Sequence, residues 1–332
     1  MQLSVGDKRK PFILIGAMVA GIALQRAVGS AVPQLAQVTQ IGVFLVITAV
    51  MLPIELNDVG QALKKVRPTA LALGINFLFI PAFAWALGWL FLRQHPDFWV
   101  GAILYTLTPC IGWYLIFTDI ARGNVAWGVA LLPWNITLQV LLLPAYLYLL
   151  VGRVIPVEIA TMVHSVLLFL VAPFVLSIAI RRSVIAMRGR DFFFGAFKNV
   201  LGEVKLWLFV AVIVSMFVSQ PPISIADART VGLLIAFLIG FFAVLFVLVV
   251  LAGRWFGLSY ADNVTLAFTT TARNSEAVIG VALAAFPGHP LVYLAIILGP
   301  IVELPMLLLL ARLMLSLRQR IEPIAAEQRL GP

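Results

Sequence analysis

Long apolar stretches separated by short polar segments recur along the whole chain. Each runs for roughly 18 to 27 residues, and a helix of that length, rising about 1.5 Å per residue, crosses a hydrocarbon core of roughly 30 Å. Barrel strands would need only about half that length. The pattern predicts ten transmembrane helices, near residues 11–28, 36–56, 67–92, 98–119, 124–150, 155–181, 203–219, 229–252, 262–286 and 290–316.

The composition agrees with a chain that lies mostly in lipid. Of 332 residues, 62% are hydrophobic and only 11% are charged, which leaves too few polar side chains to cover a water-soluble domain. The net charge of +9 comes from basic residues between the apolar stretches, where they set topology and contact anionic membrane lipids. We therefore predict an all-α polytopic membrane protein with no nucleic-acid partner.

The positions of the basic residues predict an orientation. If the N-terminus is cytoplasmic, 18 of the 23 Lys and Arg residues lie in cytoplasmic segments and four lie outside, with Arg273 left inside a span. Adding or removing one span would spoil this asymmetry, which follows the positive-inside rule. We therefore predict ten spans in a bacterial plasma (inner) membrane, with both termini cytoplasmic.

The longest hydrophilic stretch suggests a division of the chain. We predict a first five-span repeat in residues 1–180, a cytoplasmic linker at 181–205, and the remainder of a second repeat with a short tail in 206–332. The sixth span, near 155–181, belongs to that second repeat. An odd number of spans per repeat makes the two repeats inverted in the membrane. At an offset of 167 residues, Pro133 falls on Pro300 and Pro109 falls on Glu276.

Polar residues and a proline interrupt the fourth span at Thr108, Pro109 and Cys110. Because proline removes a backbone donor and clashes with the preceding turn, we expect the helix to break there. Cys110 is the only cysteine, so no intrachain disulfide forms. Its thiol can reach a central cavity as a soft ligand, or it packs as a small hydrophobe.

The ninth span carries seven polar residues among the eight from Thr269 to Glu276. A charged side chain near the bilayer centre costs at least ~2.5 kcal/mol, so Arg273 and Glu276 should face protein, water or each other. One interpretation is an i, i+3 salt bridge between them. The other is a discontinuous helix whose ends line a substrate or ion site, with Arg273, Asn274, Ser275 and Glu276 as ligands.

Glu303 lies in the tenth span between Pro300 and Pro305, with no basic residue near it in sequence. An ionised carboxylate alone in a membrane is costly, so we expect Glu303 to bind protons near the working pH and to couple transport to protons. Alternatively, Glu303 stays protonated and donates a hydrogen bond to a backbone carbonyl that the prolines leave without a helical partner. In the fifth span, Asn135 and Gln139 share one face, either as site residues or as contacts between helices.

Other polar residues carry no predicted site. We expect Asp58, Asp119 and Asp262, close to span ends, to be solvated, and the three histidines form no metal-binding motif. The sequence therefore predicts no metal site and no cofactor. We see no catalytic constellation, so buried polar residues favour a secondary transporter over an enzyme.

Several motifs occur together in order: Thr108-Pro109-Cys110, then Asn135, then Asn274 with Glu276, and finally the segment 299–305 around Glu303. In this the chain resembles the arsenite permease family of the bile acid:sodium symporter superfamily. The resemblance implies two inverted five-helix repeats that form a panel domain and a core domain, with broken fourth and ninth helices crossing in the core. It also implies arsenite efflux coupled to protons, with Cys110 engaging trivalent arsenic and Glu303 coupled to protons.

The ninth span departs from that family, which usually has two adjacent asparagines and an aromatic residue before the glutamate. Here the residues are Arg273, Asn274 and Ser275, and a fixed cation either favours an anionic substrate or neutralises Glu276. The alternative function is therefore a sodium-coupled symporter of an organic anion of the bile acid or vitamin type. Sodium needs hard oxygen ligands, which Thr271, Asn274, Ser275, Glu276, Asn135 and Gln139 can supply.

Overall fold

The computed structural model describes residues 5–28, 34–53, 65–111, 113–155, 159–219 and 228–329. Nearly all of these residues are helical, and none belongs to a β-strand. The prediction of an all-α protein is therefore confirmed. The helices are α1 (Val5–Val28), α2 (Gln34–Met51), α3 (Val66–Leu92), α4 (Pro96–Thr106), α5 (Trp113–Ile120), α6 (Val125–Val151), α7 (159–188), α8 (190–219), α9 (Ala228–Trp255), α10 (Tyr260–Thr271), α11 (Ser275–Ala285) and α12 (Pro290–Arg329).

Six helices among the described residues are long and apolar enough to cross a membrane. They come from α3, α6, α7, α8, α9 and α12, and they make the chain a multi-pass membrane protein. Two of the predicted spans, 98–119 and 262–286, each contain two shorter helices, and the described residues between them, 107–111 and 272–274, are not helical. The six long helices are Val66–Leu92, Val125–Val151, Val163–Arg188, Val200–Val218, Arg229–Trp255 and Pro290–Arg318.

The interruption between α4 and α5 surrounds Pro109. Helix α4 ends at Thr106, three residues before the proline that cannot continue its hydrogen-bond ladder. In the second interruption, α10 ends at Thr271 and Ala272 is extended, with ψ of 139°. The chain becomes helical again once Asn274 caps α11 by accepting a hydrogen bond from the Ala277 N–H at 3.1 Å, as asparagine does at many helix N-termini.

The hydrophilic section predicted as a linker, residues 181–205, is helical on both sides of Gly189. Helix α7 continues through Arg188, and α8 begins at Arg190. Gly189 has φ of 83°, a conformation that glycine adopts without steric penalty. The polar section therefore extends two helices beyond their apolar parts and turns the chain at one residue.

The helices form two packing groups. In the first, α8 packs against α1 and α2, and α7 packs against α2. In the second, α4 packs against α3 and α12, while α9 packs against α3, α10 and α12. Both interrupted segments belong mainly to the second group, although α11 also contacts α2 and α7.

Asp262 is not the solvated residue that the sequence predicts. Its side chain is only 12% exposed and forms an ion pair with Lys65 at 2.6 Å. Asn124 donates a further hydrogen bond to Oδ1 of Asp262 at 2.7 Å. The prediction was wrong because three helix starts, those of α3, α6 and α10, meet around this carboxylate. Asp58 lies outside the described residues.

Candidate transport site

The two interrupted segments cross and pair with each other as a short antiparallel ladder. The Cys110 N–H donates to the Ala272 carbonyl at 3.1 Å, and the Asn274 N–H donates to the Thr108 carbonyl at 2.9 Å. The Thr108 hydroxyl adds a bond to the Asn274 carbonyl at 3.0 Å. Backbone groups that lack a helical partner are thus satisfied by the other segment, as a buried site requires. We call this paired region, residues 107–111 and 272–274, the crossover.

Pro109 and Arg273 lie opposite each other in this ladder. The hydrogen bonds flank them on either side, so their own backbone groups point away from the partner strand. The missing N–H of Pro109 therefore leaves no gap in the ladder. The Arg273 N–H points elsewhere and donates to Oε1 of Glu303 at 3.0 Å.

Glu303 is buried, with 2% of its surface exposed, and both carboxyl oxygens have partners. Oε1 accepts from the Arg273 N–H, and Oε2 accepts from the Tyr105 hydroxyl. Both partners among the described residues donate to Glu303. The alternative interpretation, in which a protonated Glu303 donates to a backbone carbonyl, is therefore not what these contacts show. Gly299 makes room for the tyrosine, because a Cβ added there would lie 2.4 Å from the Tyr105 ring.

The salt bridge between Arg273 and Glu276, the first of the two interpretations, is not among the ion pairs of the described residues. The guanidinium donates instead to the carbonyl oxygens of Thr106 at 2.9 Å and Thr271 at 3.3 Å, and to Oδ1 of Asn76 at 3.2 Å. The i, i+3 rule fails here because Arg273 precedes the start of α11. Glu276 lies in the first turn of α11, where the helix dipole stabilises a negative charge.

Asn135 belongs to a polar network between α3, α6 and α10. Asn76 donates to Oδ1 of Asn135 and to the Thr269 carbonyl, both at 3.3 Å. Asn135 donates in turn to the Thr269 hydroxyl at 3.2 Å. Gln139, on the same helix, is also buried. This network holds three helices together beside the crossover.

Sequence reasoning missed Asn76 and Tyr105. Asn76 lies in a π-helical turn, Ile75–Phe79, and such turns are frequent at functional sites. It is also the one amide side chain of the predicted third span, a signal that could have found it, since a polar side chain at that depth needs a partner. Tyr105 gave no comparable signal, because a tyrosine in an apolar stretch is common.

The Asn274 side chain has one satisfied and one unsatisfied end. Its Oδ1 caps α11, whereas its Nδ2 is buried and has no hydrogen-bond partner among the described residues. A buried amide donor without an acceptor is unfavourable by about 1–3 kcal/mol. This nitrogen is therefore able to bind an acceptor atom of a ligand.

A cavity of about 70 Å³ borders the crossover. Four predicted site residues line it, namely Arg273, Ser275, Glu276 and Glu303. Cys110 is buried, with 4% exposed, and is not among the described residues that line this cavity. The wall is completed by Trp113, Gly202, Lys205, Leu206, Phe209, Pro300 and Leu304.

Comparison with known proteins yields several relatives of similar length. The chain is 26% identical to the arsenical-resistance protein Acr3 of Corynebacterium glutamicum, over 97% of this chain and 92% of that protein. It is 22% identical to the Acr3 protein of Alkaliphilus metalliredigens, over 86% and 83%. An uncharacterized transporter of Synechocystis sp. is 23% identical, over 81% and 76%.

A family model also matches this chain, over residues 40–225, and its description is the Sodium Bile acid symporter family. The family is one of transporters, which confirms the prediction of a transporter rather than an enzyme, with a small-molecule substrate and a coupling ion. The resemblance drawn from the motifs is confirmed as well. Because the matched region covers more than half of the sequence, the chain belongs to the Sodium Bile acid symporter family.

Proposed function

We propose that this transporter exports trivalent arsenic, with Cys110 as the thiol ligand and Glu303 as the proton-coupling residue. The observation that carries the proposal is the crossover, where the only thiol of the chain pairs with the segment that hydrogen-bonds Glu303. Two relatives that match most of the chain are named arsenical-resistance proteins. Transport of arsenite would be the common activity.

The chemistry of Cys110 suits arsenous acid. Thiols are soft ligands that favour thiophilic elements. The sulfur forms an S–As bond while one As–OH bond breaks, and the thiol proton leaves with that hydroxide as water. The step is reversible by hydrolysis, so the substrate can be released on the other side of the membrane.

The start of α11 supplies polar groups for the remaining hydroxyls of the substrate. The unpartnered Nδ2 of Asn274 can donate to an arsenic-bound oxygen. Ser275 and Glu276 line the adjacent cavity and can accept from the arsenic-bound hydroxyls. In this proposal Pro109 and Thr108 keep the backbone non-helical at Cys110, so that the thiol is available to the substrate. Asn135 acts by anchoring α6 to α10.

Glu303 can couple transport to protons because it touches both the cavity and the crossover. Its carboxylate accepts from two donors, and protonation would weaken acceptance from at least one of them. The bond to the Arg273 N–H then changes with the proton, and Arg273 is part of the crossover. Proton binding thereby alters the segment that pairs with Cys110.

We further propose the full topology that the sequence predicts. Ten spans form two inverted five-span repeats, with the first packing group as the panel domain and the second as the core domain. The spacing of helix starts supports the repeat: Pro96 and Tyr260 are 164 residues apart, and Val125 and Pro290 are 165 residues apart. Those helices flank the two interruptions in the same order.

The cavity fits an inward-facing exporter of a bacterial plasma membrane. Lys205 lines the cavity from α8, and the positive-inside rule assigns that end of α8 to the cytoplasm, along with both termini. A passage from Lys205 to Glu303 would let the substrate reach the crossover from inside the cell.

Sodium-coupled uptake of an organic anion receives less support. That alternative needs Arg273 to hold a carboxylate, yet the guanidinium is engaged by oxygen atoms of Thr106, Thr271 and Asn76. A substrate anion would have to displace these contacts. The alternative remains the expected outcome if arsenite proves not to be transported.

The test is arsenic accumulation in bacteria that lack their own arsenite exporter. We expect the wild type to lower intracellular arsenic equally in sodium-containing and sodium-free medium. Cys110→Ser and Cys110→Ala should accumulate as much arsenic as cells without the transporter. Ile111→Val, a small change at the neighbouring buried residue, is the matched control and should export normally.

Two results would count against the proposal. Export by both cysteine variants at the wild-type rate would remove the thiol from the mechanism. Unchanged arsenic in cells with well-expressed wild type would exclude arsenite as the substrate and favour the organic-anion alternative.

A further inference from the structure

The Arg273 side chain is buried, with 2% exposed, inside a cage of oxygen atoms. Three of these are the main-chain carbonyls of Thr106, Thr270 and Thr271, and the fourth is Oδ1 of Asn76. All three guanidinium nitrogens take part, each donating to at least one of these oxygens. We call these four atoms the oxygen cage.

The charge in this cage is balanced without a direct salt bridge, by the nearby Glu303 carboxylate and by dipoles. No ion pair involving Arg273 occurs among the described residues, and the Glu303 carboxylate receives the main-chain N–H rather than the guanidinium. Helix dipoles add to the attraction of that carboxylate. Thr106 ends α4 and Thr271 ends α10, so the cation lies at two helix C-termini, where the partial charge is negative.

The ring of Phe241 contributes to the same stabilisation. The guanidinium carbon lies 5.9 Å from the centroid of this ring, a distance at which the π face attracts a cation. Asn76 is fixed in turn, because its Nδ2 donates to Asn135 and to the Thr269 carbonyl. The cage is therefore built by residues of several helices, and contacts beyond the Arg273 side chain hold it in place.

Neutral oxygens at the ends of broken helices are the ligands that membrane proteins use for small hard cations. Hard cations prefer carbonyl and amide oxygens over nitrogen or sulfur. In this chain those oxygens are engaged by the guanidinium. A second cation beside the guanidinium would be repelled by its charge.

We propose that the Arg273 guanidinium is a tethered substitute for an alkali coupling cation. It fills the oxygen cage permanently, so sodium has no site there and the transport cycle proceeds without it. Removal of the side chain should convert the cage into a sodium site. The consequence for transport rests on the proposed function, whereas occupation of the cage can be measured on the purified protein without any substrate.

The experiment compares melting temperatures of the purified full chain in choline chloride, sodium chloride and potassium chloride at equal ionic strength. Wild type should melt at the same temperature in all three salts. Arg273→Ala should melt lower in choline and should rise by about 3 °C at sodium concentrations roughly ten times the dissociation constant. Arg273→Lys keeps a tethered cation and should remain insensitive to sodium.

Methylguanidinium provides a second probe of the cage, since it should stabilise Arg273→Ala and leave the wild type unchanged. The proposal is overturned if the wild type gains stability specifically from sodium, or if folded Arg273→Ala responds alike to every salt. If Arg273→Ala is not recovered in choline, its yield after solubilisation in each salt becomes the measurement. Recovery specific to sodium supports the cage, and equal failure in all salts contradicts it.

Arsenite export is assayed in parallel to keep the two proposals apart. A wild type that exports no arsenite, together with a sodium-stabilised Arg273→Ala, would reject the substrate and retain the cage. Export that needs Cys110, together with a salt-insensitive Arg273→Ala, would reject the cage and retain the substrate.

Discussion

The main-chain N–H of Arg273 donates a 3.0 Å hydrogen bond to Oε1 of Glu303. This bond connects the crossover to α12, and it exists because Arg273 faces Pro109 in the ladder with its N–H directed outward. The Glu303 side chain, which lines the cavity, is thereby attached to the backbone that pairs with Cys110.

Glu303→Gln should uncouple export from the proton gradient. Glutamine keeps the size of the side chain, but one terminal atom becomes an amide donor, so either Tyr105 or the Arg273 N–H loses its acceptor. A buried donor left alone costs about 1–3 kcal/mol. We expect arsenite uptake by everted membrane vesicles to become independent of an imposed pH gradient and the melting temperature to fall.

Glu276→Gln is the matched control for this change. Glu276 lines the same cavity but lies in the first turn of α11 rather than against the crossover backbone. Its substitution should retain the response to the pH gradient. A gradient response that survives in Glu303→Gln and disappears in Glu276→Gln would assign proton coupling to the wrong carboxyl.

Asn274→Ser separates the two roles of this side chain. Serine is as good an N-cap as asparagine, so α11 should keep its start, and the melting temperature should rise because a buried unpartnered donor is removed. The unpartnered Nδ2 donor is lost, and one hydrogen bond worth about 1 kcal/mol corresponds to a roughly five- to tenfold weaker apparent affinity for arsenite. Initial export rates over a range of arsenite concentrations measure this change.

Asn274→Ala removes the cap as well as the donor, so it should lower the affinity and should be less stable than Asn274→Ser. If Asn274→Ser exports with wild-type affinity while Asn274→Ala does not, then the residue acts only as a cap. That outcome would withdraw Asn274 from the substrate site.

The sequence was informative wherever a single residue type carries a strong local constraint. Pro109 marked the end of α4, and the polar residues 273–275 marked the gap before α11. Glu303 was recognisable because an ionised carboxyl in a membrane span is energetically costly and therefore rare. These features depend on short stretches of chain, so hydrophobic periodicity and the energetic cost of buried polar groups are enough to predict them.

Contacts between distant segments could not be predicted in this way. One of the two interpretations of the sequence paired Arg273 with Glu276, but the extended backbone at Ala272 directs the arginine toward Asn76, 197 residues away. Tyr105 is 198 residues from Glu303. Local spacing rules presuppose a continuous helix, and the site is where the helices stop.

Asp262 and Lys65 should contribute to stability through a cluster of partners rather than a single ion pair. The carboxylate binds both Lys65 at 2.6 Å and Asn124 at 2.7 Å. Lys65 is 37% exposed, so solvent screens the pair, and we expect a coupling of only about 1 kcal/mol in a double-mutant cycle of Asp262→Ala and Lys65→Met.

Asp262→Ala alone should be more damaging than Lys65→Met, since it also leaves the Asn124 amide without this acceptor. The measurement is the melting temperature of each single and double variant. Asp119→Ala, at an exposed residue in α5, is the control and should change stability by less than about 0.5 kcal/mol. Equal losses at Asp262 and Asp119 would contradict a stabilising role for the cluster.

Gly299→Ala should disable the transporter by displacing Tyr105. The added methyl group would lie 2.4 Å from the ring, and overpacking of this kind costs about 1–3 kcal/mol when the neighbours must shift. A shift of the ring would move its hydroxyl away from Glu303. We expect a lower melting temperature and loss of the pH-gradient response of export.

Gly240→Ala in α9 is the control, because a methyl group added there meets nothing within 4 Å, and alanine favours a helix over glycine by roughly 1 kcal/mol. Tyr105→Phe removes only the hydroxyl, so it should reproduce the transport defect of Gly299→Ala with a smaller loss of stability. If Tyr105→Phe exports normally while Gly299→Ala fails, the glycine serves helix packing alone. In that case the hydroxyl of Tyr105 has no part in proton coupling, and the Arg273 N–H remains as the single donor through which Glu303 acts on the crossover.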